Sequence, residues 1–538
     1  MRVAGCGLRV AGCGLRVTDR GSLIPISNDG HAILPSSARC RHTVAWRLYR
    51  PAAGLPQDDS NHADLFAHAL PRALARAFPR AFPRAFPRAF PHALRQRWLR
   101  TCAAIALGTA ALAAFATETP TAHWLSTWTA SEQPVWQAGE LPLPTGVPAR
   151  LDNQTLRQIA RISVGGARAR LVLSNRYGRE PVTIGAARIA LATGRDGIDA
   201  TTDRAATFGG SPSITIPAGA TVTSDSIELS LPPLSELTVS LHLPKPFRPG
   251  GFHWDGRQTA WLAPGDATRD ATLPDATSFS GRLLLAAIEV EASHGAGAVV
   301  AIGDSITEGN GSTVDANRRW PDGLAARLAP QGLAVLNAGI SGGQLLRDGM
   351  GESALARFER DVLGQTGVRA VIVAIGINDI GWPGSTFAAR TPLPDPAAMI
   401  EGYRALIRRS HERGIRAIGA TITPFAGALA GTPIRGYDAP PRKEALRQAI
   451  NAWIRDSGEF DAVADFDAAL RDPARPEAML PRYDSGDHLH PGDAGYRRMA
   501  EVAAAAVAGV AGVAEVAEVA GVAGVAGVAA VAPSAATD

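Results

Sequence analysis

Cysteine is nearly absent from this chain. Its 538 residues include only Cys6, Cys13, Cys40 and Cys102, so no thiol follows residue 102. Residues 117–538 can therefore form neither a disulfide framework nor a thiolate metal site. Their histidines and acids also lack a His-x-x-x-His or paired-carboxylate pattern, and we expect no metal and no other cofactor. The chemistry of this part must use oxygen and nitrogen groups.

Excess positive charge is missing from the same part of the chain. Residues 1–116 contain 16 Arg and five acidic residues, whereas residues 117–538 contain 38 basic and 45 acidic ones. The formal net charge of +4 thus comes from the N-terminal segment alone. It does not indicate a nucleic-acid partner, and we expect none.

The first 94 residues have a repetitive composition that is not typical of a folded domain. RVAGCGL occurs twice in succession from Arg2 to Leu15, and A-F-P-R repeats from Ala77 to Phe90. A proline at every fourth position excludes a regular helix and most strand pairing. We predict that residues 1–94 are disordered, or are an extension from a misassigned start.

Residues 95–116 have the pattern of a secretory signal peptide. A basic stretch, Arg95–Arg100, precedes the uncharged run 101–116, which ends in the small-x-small triplet Ala114-Phe115-Ala116. The run is short for a membrane span, although a buried helix or a retained anchor remains the alternative. The pattern predicts cleavage near Ala116, export to the periplasm or beyond, and no membrane span in the mature chain.

Residues 123–293 consist of short β-rich runs between turn signals, which is typical of a β-sandwich. The runs are Ile159–Val164, Ala169–Ser174, Val182–Ile184, Ser213–Ile216, Ser226–Leu231 and Leu237–Leu243. Five tryptophans, Trp124, Trp128, Trp136, Trp254 and Trp261, also lie here. They are either core residues or a platform on which a sugar could stack.

Residues 297–505 follow a different pattern, in which apolar runs of strand length alternate with amphipathic runs of helix length. The apolar runs are 298–302, 334–336, 370–375, 417–422 and 462–466, and the amphipathic ones include 397–413 and 442–455. This alternation predicts a parallel sheet covered by helices on both faces. Ligands of such sheets bind at the carboxyl ends of the strands.

The C-terminal residues are dominated by Ala, Gly and Val. The tract runs from about Val502 to Ala532 and is interrupted by Glu515 and Glu518. Its glycines and acids argue against a membrane span. We expect residues 506–538 to form a low-complexity tail.

A serine follows the first apolar run of the α/β segment. Residues 298–302 lead directly into Gly303-Asp304-Ser305-Ile306. A serine at such a turn can present its hydroxyl and its backbone N–H to one cleft. The loop is not a phosphate-binding P-loop, a dinucleotide fingerprint or a G-x-S-x-G elbow. Taken alone it could also be an ordinary helix cap.

Small and amide residues follow the next two apolar runs. One segment spans residues 337–343 and includes Gly339 and Gly342, and the other reads Gly376-Ile-Asn378-Asp379. A backbone N–H or a side-chain NH₂ at these places could donate to a developing oxyanion. Each segment alone could equally be a turn.

A base and a carboxylate stand close together near the end of the α/β segment. Asp487 lies three residues before His490, and His490 precedes Pro491. A neutral imidazole can take a proton from a serine, and the carboxylate can fix its tautomer and favour the imidazolium. His488 is a competing base, and either histidine could instead be a solvated loop residue.

These four segments, in this order, resemble the signature blocks of the SGNH (GDSL-type) hydrolase family over residues of about 297–505. The resemblance implies a flavodoxin-like three-layer α/β domain. It makes Ser305 the nucleophile, His490 the base and Asp487 the residue that orients it. The implied oxyanion hole comprises the backbone N–H groups of Ser305 and Gly342 and the Asn378 amide. Gly339 is the alternative to Gly342, and Ile306 replaces the leucine of the family's name.

A looser resemblance links the whole layout to secreted bacterial two-domain SGNH esterases, through residues 124–128, 152–156 and 315–321. It implies a β-sandwich packed on the hydrolase domain. The expected function is a secreted serine esterase that acts on short-chain, acetyl-type esters of carbohydrates or aryl alcohols. Acyl transfer to a sugar hydroxyl and an inert carbohydrate-binding role are the alternatives. The substrate is therefore a small molecule or a polysaccharide, and the sequence gives no oligomeric state.

Overall fold

A computed structural model describes residues 122–137, 139–438 and 441–510 of the chain. The predicted extension 1–94, the predicted signal peptide 95–116 and residues 511–538 of the predicted tail lie outside the described residues. Below, residues 123–292 are called the β region and residues 297–508 the α/β region.

The β region contains sixteen strands. They are β1 His123–Thr129, β2 Gln133–Pro134, β3 Gln154–Arg161, β4 Gly166–Ser174, β5 Val182–Ile184, β6 Ala186–Thr193, β7 Gly197–Ile198, β8 Arg204–Ala206, β9 Ile214–Ile216, β10 Thr221–Thr223, β11 Ile227–Leu231, β12 Glu236–Leu243, β13 Gly251–Phe252, β14 Thr259–Pro264, β15 Thr277–Ser280 and β16 Leu285–Ala292.

All strand pairs of the β region are antiparallel. One five-stranded sheet has the order β1-β16-β4-β10, with β11 also on β4, and one seven-stranded sheet has the order β15-β14-β3-β12-β6-β7, with β8 on β6. In β11 buried and exposed residues alternate, because successive side chains of a strand point to opposite faces. The all-β character predicted for this segment is present.

The α/β region holds five parallel strands, a hairpin and eight α-helices. The strands are β17 Gly297–Gly303, β18 Leu333–Gly339, β19 Val368–Ala374, β20 Arg416–Ala420, β21 Ala462–Ala464, β22 Arg471–Asp472 and β23 Arg475–Met479. The helices are α1 Ser305–Glu308, α2 Trp320–Leu328, α3 Ala354–Phe358, α4 Ile377–Gly381, α5 Pro396–His411, α6 Pro441–Asp456, α7 Phe466–Leu470 and α8 Asp493–Ala508.

The parallel sheet places three loops at one end. Its order is β18-β17-β19-β20-β21, and all seven residues of β17 are buried, as expected for a strand covered on both faces. The loops after β17, β18 and β19 therefore meet at the carboxyl ends of adjacent strands. Buried Arg357 joins two of these ends, since its guanidinium donates to the carbonyl oxygens of Gly303 and Ala338, both at 2.7 Å.

Helix α8 differs from the predicted boundary at its C-terminal end. The helix continues to Ala508. The composition of the sequence predicts that a low-complexity tail begins at residue 506. Ala503, Ala506 and Val507 are buried on one side of the helix. Alanine has the highest helix propensity, so an Ala-rich run forms helix wherever it gains a packed face. Among the described residues, no helix is long and apolar enough to cross a membrane.

The β region and the α/β region share one continuous apolar core. Polar contacts also cross the junction. The Ser163 hydroxyl donates to the carbonyl oxygen of Val335 at 3.0 Å and accepts from its N–H at 3.1 Å, and Val335 lies in the outermost strand β18. Gln133 Nε2 donates to the carbonyl oxygen of Met350 at 3.0 Å. The β region thus supports the loops that surround the candidate site.

Candidate active site

Ser305 is the first residue of α1 and lies two residues beyond the end of β17. Asp304 caps this short helix, because its carboxylate accepts the Ile306 N–H at 3.0 Å. Burial raises the pKa of Asp304 to about 7. Ser305 itself is only 8% exposed, so a reaction at its hydroxyl would take place largely out of bulk water.

Ser305, His490 and Asp487 form one hydrogen-bonded chain. Ser305 Oγ lies 2.8 Å from His490 Nε2, and His490 Nδ1 lies 2.6 Å from Asp487 Oδ2. Because the carboxylate can only accept, Nδ1 carries the imidazole proton and Nε2 is left to accept from the serine. The arrangement can move a proton from a serine hydroxyl to an imidazole.

Asp487 is held as a carboxylate. Burial acts to raise its pKa, but hydrogen bonds from the side chain and backbone of His490 and from the Leu489 N–H outweigh burial and hold the pKa well below its usual range. The N–H groups of His490 and Leu489 lie 2.8 and 2.9 Å from Asp487 Oδ1. An ionised partner at this position favours the imidazolium that forms when His490 takes a proton.

Close contact between two loops sets the position of His490. Gly311, in the loop after α1, has a φ of 89°, and a Cβ there would lie 2.6 Å from the Pro491 carbonyl oxygen and 3.1 Å from His490 Cβ. A larger residue at 311 would push the histidine loop away. The bond between Ser305 and His490 therefore depends on a glycine that lies outside the four sequence segments described above.

His488, the competing base, has a different environment. Its side chain is 53% exposed, and its Nδ1 lies 2.5 Å from Asp484 Oδ2. It is absent from the lining of the cleft that contains Ser305. The structure thus brings His490, and not His488, to the serine.

Gly342 lies in the loop after β18 with a φ of 66°. A Cβ at this position would lie 2.6 Å from the Met350 side chain and 2.9 Å from that of Trp382. No hydrogen bond among the described residues uses the backbone N–H of Gly342 or of Ser305. Gly339 differs, because its N–H already donates to Asn337 Oδ1 at 2.9 Å. The free donor of this segment is Gly342.

Asn378 has a fixed amide orientation. Its Oδ1 accepts from the Tyr437 hydroxyl at 2.7 Å, and its Nδ2 donates to the Gly343 carbonyl oxygen at 2.9 Å. One hydrogen of the NH₂ group therefore remains available. The next residue, Asp379, accepts the N–H groups of Leu345 and Leu346 at 2.7 and 3.0 Å, which ties the loop of Gly342 to α4.

The cleft around Ser305 has a volume of about 290 Å³ and apolar walls. Ser305, Gly342, Asn378, Asp487 and His490 all line it. Its other walls include Leu143 and Trp254 of the β region and Met350, Trp382 and Phe387 of the α/β region. The Trp382 and Phe387 rings are stacked, with centroids 4.6 Å apart.

Trp254 differs from the other four tryptophans of the β region in lining the cleft. Trp128, Trp136 and Trp261 are buried, and Arg170 covers the Trp124 ring at 4.3 Å. Only Trp254 of these five lines the cleft, where its Nε1 donates to the Pro144 carbonyl oxygen at 3.0 Å. Trp128, Trp136 and Trp261 are thus core residues, which is one of the two roles considered for the tryptophans of this segment. Trp254 has a position that suits the other role, contact with a ligand.

The described ranges 122–137, 139–438 and 441–510 contain no group of three or more His, Cys, Asp or Glu side chains that could hold a metal ion.

Comparison with known proteins identifies one family. Residues 301–498 match the model of the GDSL-like Lipase/Acylhydrolase family, a range that includes Ser305, Gly342, Asn378, Asp487 and His490. No curated protein matches the chain.

Several solved structures resemble part of the chain. A putative lipolytic protein of the G-D-S-L family from Desulfitobacterium hafniense DCB-2 has 22% sequence identity, covers 39% of this chain and 98% of its own, and gives a TM-score of 0.29. The acetyl xylan esterase AlAXEase has 20% identity, with 39% and 99% covered and a TM-score of 0.29. Est24, a carbohydrate acetylesterase from Sinorhizobium meliloti, has 18% identity, with 39% and 98% covered and a TM-score of 0.30.

Proposed function

We propose that this chain, whose residues 301–498 belong to the GDSL-like lipase/acylhydrolase (SGNH) family, is a serine esterase that works through an acyl-enzyme. The observation that carries the proposal is the hydrogen-bonded chain of Ser305, His490 and Asp487, with distances of 2.8 and 2.6 Å. It lies in a cleft whose floor also holds unused hydrogen-bond donors.

In the first half of the reaction, Ser305 Oγ attacks the ester carbonyl carbon while its proton passes to His490 Nε2. The carbonyl oxygen becomes an oxyanion, which the N–H groups of Ser305 and Gly342 and the Asn378 amide stabilise. The tetrahedral intermediate then collapses to an acyl-serine. The leaving alcohol departs with the proton that His490 returns to it.

In the second half, water replaces the alcohol. His490 takes a proton from the water as its oxygen attacks the acyl-serine, and the same donors hold the second oxyanion. Collapse releases the carboxylic acid and returns the proton to Ser305. Asp487 stays ionised throughout, because its role is to hold the imidazole tautomer and stabilise the imidazolium.

The cleft supports a small ester as substrate. At about 290 Å³ it lies at the lower end of small-molecule sites, which span roughly 300–1,000 Å³. Its walls near Ser305 are apolar and aromatic, and Trp254 offers a flat ring to an aryl group or to the apolar face of a sugar. We therefore propose acetyl-type esters of aryl alcohols or carbohydrates.

The remaining sequence-based assignments complete the proposal. We propose that residues 95–116 direct export, that a β-sandwich domain spans 123–293, and that a three-layer flavodoxin-like hydrolase domain spans 297–505. The many antiparallel strands of the first range and the parallel sheet of the second support this division.

The direct test combines turnover with covalent labelling of the full chain. We expect hydrolysis of 4-nitrophenyl acetate to exceed that of the butyrate and dodecanoate esters. A fluorophosphonate probe should abolish turnover and modify Ser305, as read by mass spectrometry of tryptic peptides. Absence of both turnover and labelling would contradict an esterase. If an added sugar is acylated in preference to water, the enzyme is an acyltransferase instead.

Trp254→Ala should change the preference for the alcohol group. We expect kcat/KM for phenyl acetate to fall about tenfold, because loss of an aromatic contact costs about 1.4 kcal/mol, whereas kcat/KM for methyl acetate stays within about twofold. Trp124→Ala is the matched control, since Trp124 is half-buried in β1 and absent from the cleft lining. Equal losses for both esters in Trp254→Ala would argue against a role for this ring in binding the alcohol.

A further inference from the structure

A second, smaller cavity lies at the junction of the β region and the α/β region. Its volume is about 30 Å³, and it shares no lining residue with the cleft of Ser305. Trp128, His253 and Arg282 of the β region line it, together with Glu308, Arg319 and Asn337 of the α/β region. Since one water needs about 10–15 Å³, this space holds about two or three waters or a single small ion.

Arg282 is a buried cation without a partner in this cavity. Its side chain is 3% exposed, and its Nη1 has no hydrogen-bond partner. Among the described residues it forms no ion pair, and its nearest recorded side-chain contact is the Trp128 ring at 5.3 Å. A buried charge without a counter-charge is costly, so natural proteins pair it.

The two acids whose charges act on Arg282 do not pair with it directly. Asp315 accepts from the Thr259 N–H and hydroxyl, both at 2.6 Å, and Asp322 is paired with Arg319 at 2.6 Å. Glu308 contributes an oxygen, Oε1, that no hydrogen bond satisfies, although His253 Nε2 lies 3.2 Å away. Burial raises the pKa of Glu308 well above its ordinary value. His253 Nδ1 donates to the Ser131 carbonyl oxygen at 2.8 Å, so one proton held by either His253 Nε2 or Glu308 leaves this pair without net charge.

The other titratable groups leave the cavity positive. Burial lowers the pKa of His253 to about 4, so this side chain is neutral near pH 7. Burial also lowers the pKa of Arg282, but only to about 9, and its guanidinium stays charged. Arg161, a further cation in the lining, donates its Nε–H to the Leu234 carbonyl oxygen at 3.3 Å.

We propose that this cavity binds one monovalent anion of about the size of chloride, with the Nη1–H of Arg282 as a donor. The anion would supply the counter-charge that Arg282 lacks. A single atomic ion fits this volume better than sulfate or phosphate, whose four oxygen atoms need more than the space of two or three waters. Because Glu308 ends α1, the helix that begins with Ser305, the anion would stabilise the junction on which the active-site helix rests.

Crystals of the full chain grown in sodium bromide test the site directly. We expect an anomalous bromide peak within hydrogen-bonding distance of Arg282 Nη1, and its loss in Arg282→Met. A wild-type cavity that holds only water, with no anomalous signal, would overturn the proposal. This result is independent of whether the chain hydrolyses esters.

A solution measurement adds a second readout. The Tm of the wild type is compared in sodium chloride and in sodium gluconate at the same ionic strength. A chloride concentration about ten times the Kd of the site should raise the Tm by about 1–2 °C relative to gluconate. Arg282→Met should lose this increment. Arg170→Met should keep it, because Arg170 is paired with Glu289 and does not line the cavity. An increment of equal size in all three proteins would show a general salt effect and contradict a specific site.

Discussion

Ser305→Ala should lower kcat for 4-nitrophenyl acetate by about a thousandfold or more, because among the described residues Ser305 carries the hydroxyl that is hydrogen-bonded to the proposed base His490. The serine is buried at the start of α1, and its only recorded side-chain hydrogen bond is to His490. Alanine is compatible with the first turn of a helix, so we expect the fold to survive. Steady-state kinetics with the full chain, and Tm by calorimetry, measure both effects.

Ser312→Ala is the matched control for this substitution. Ser312 is also a buried serine, seven residues further along, and its hydroxyl has no hydrogen-bond partner. Its replacement removes an unsatisfied polar group and should leave kcat within about twofold of the wild type. If Ser305→Ala retained most of its activity while Ser312→Ala lost it, the nucleophile would have been assigned wrongly.

His490→Ala should also reduce kcat by about a thousandfold, since it removes the group that takes and returns the proton. The substitution leaves Asp487 without the hydrogen bond at 2.6 Å that favours its ionised form. Nucleophilic attack then depends on a neutral serine hydroxyl. Measurement of kcat between pH 6 and 10 should show a partial recovery at high pH, where hydroxide can act in place of the imidazole.

His488→Ala separates the base from its neighbour on the same loop. His488 pairs with Asp484 and lies outside the cleft, so its loss should change kcat by less than about threefold. The two variants alter the same residue type two positions apart. A larger loss in His488→Ala than in His490→Ala would reverse their proposed roles.

The sequence pattern predicts some elements of the fold closely and misses others. Val182–Ile184 and the helix expected over 397–413 agree with β5 and with α5 at 396–411. Strands β1 and β16 were not among the predicted runs. Both are buried along most of their length, and β16 carries buried Glu289, which pairs with Arg170. Strands buried on both faces show no alternation, and tertiary pairing supports polar residues that local patterns count against a strand.

Some residues of the candidate site could likewise be identified from local sequence motifs, and others could not. Ser305, Gly342, Asn378, Asp487 and His490 could be identified because each stands in a short motif next to a strand end or a helix start. Trp254 and Trp382 could not be assigned to the cleft from such motifs. Trp254 reaches it only because the β region packs on the α/β region, a contact that no local spacing encodes. Likewise, the role of Gly311 depends on two loops 180 residues apart in the chain.

The bond of Ser163 to Val335 bears on any attempt to isolate the hydrolase. A fragment that starts at residue 297 would leave strand β18 as an uncovered sheet edge, because the Ser163 hydroxyl that occupies both backbone groups of Val335 would be gone. Exposed edges pair with other chains, and the apolar core that spans both regions would be opened at the same cut. Such a fragment is a poor choice for expression, since self-association would compete with folding.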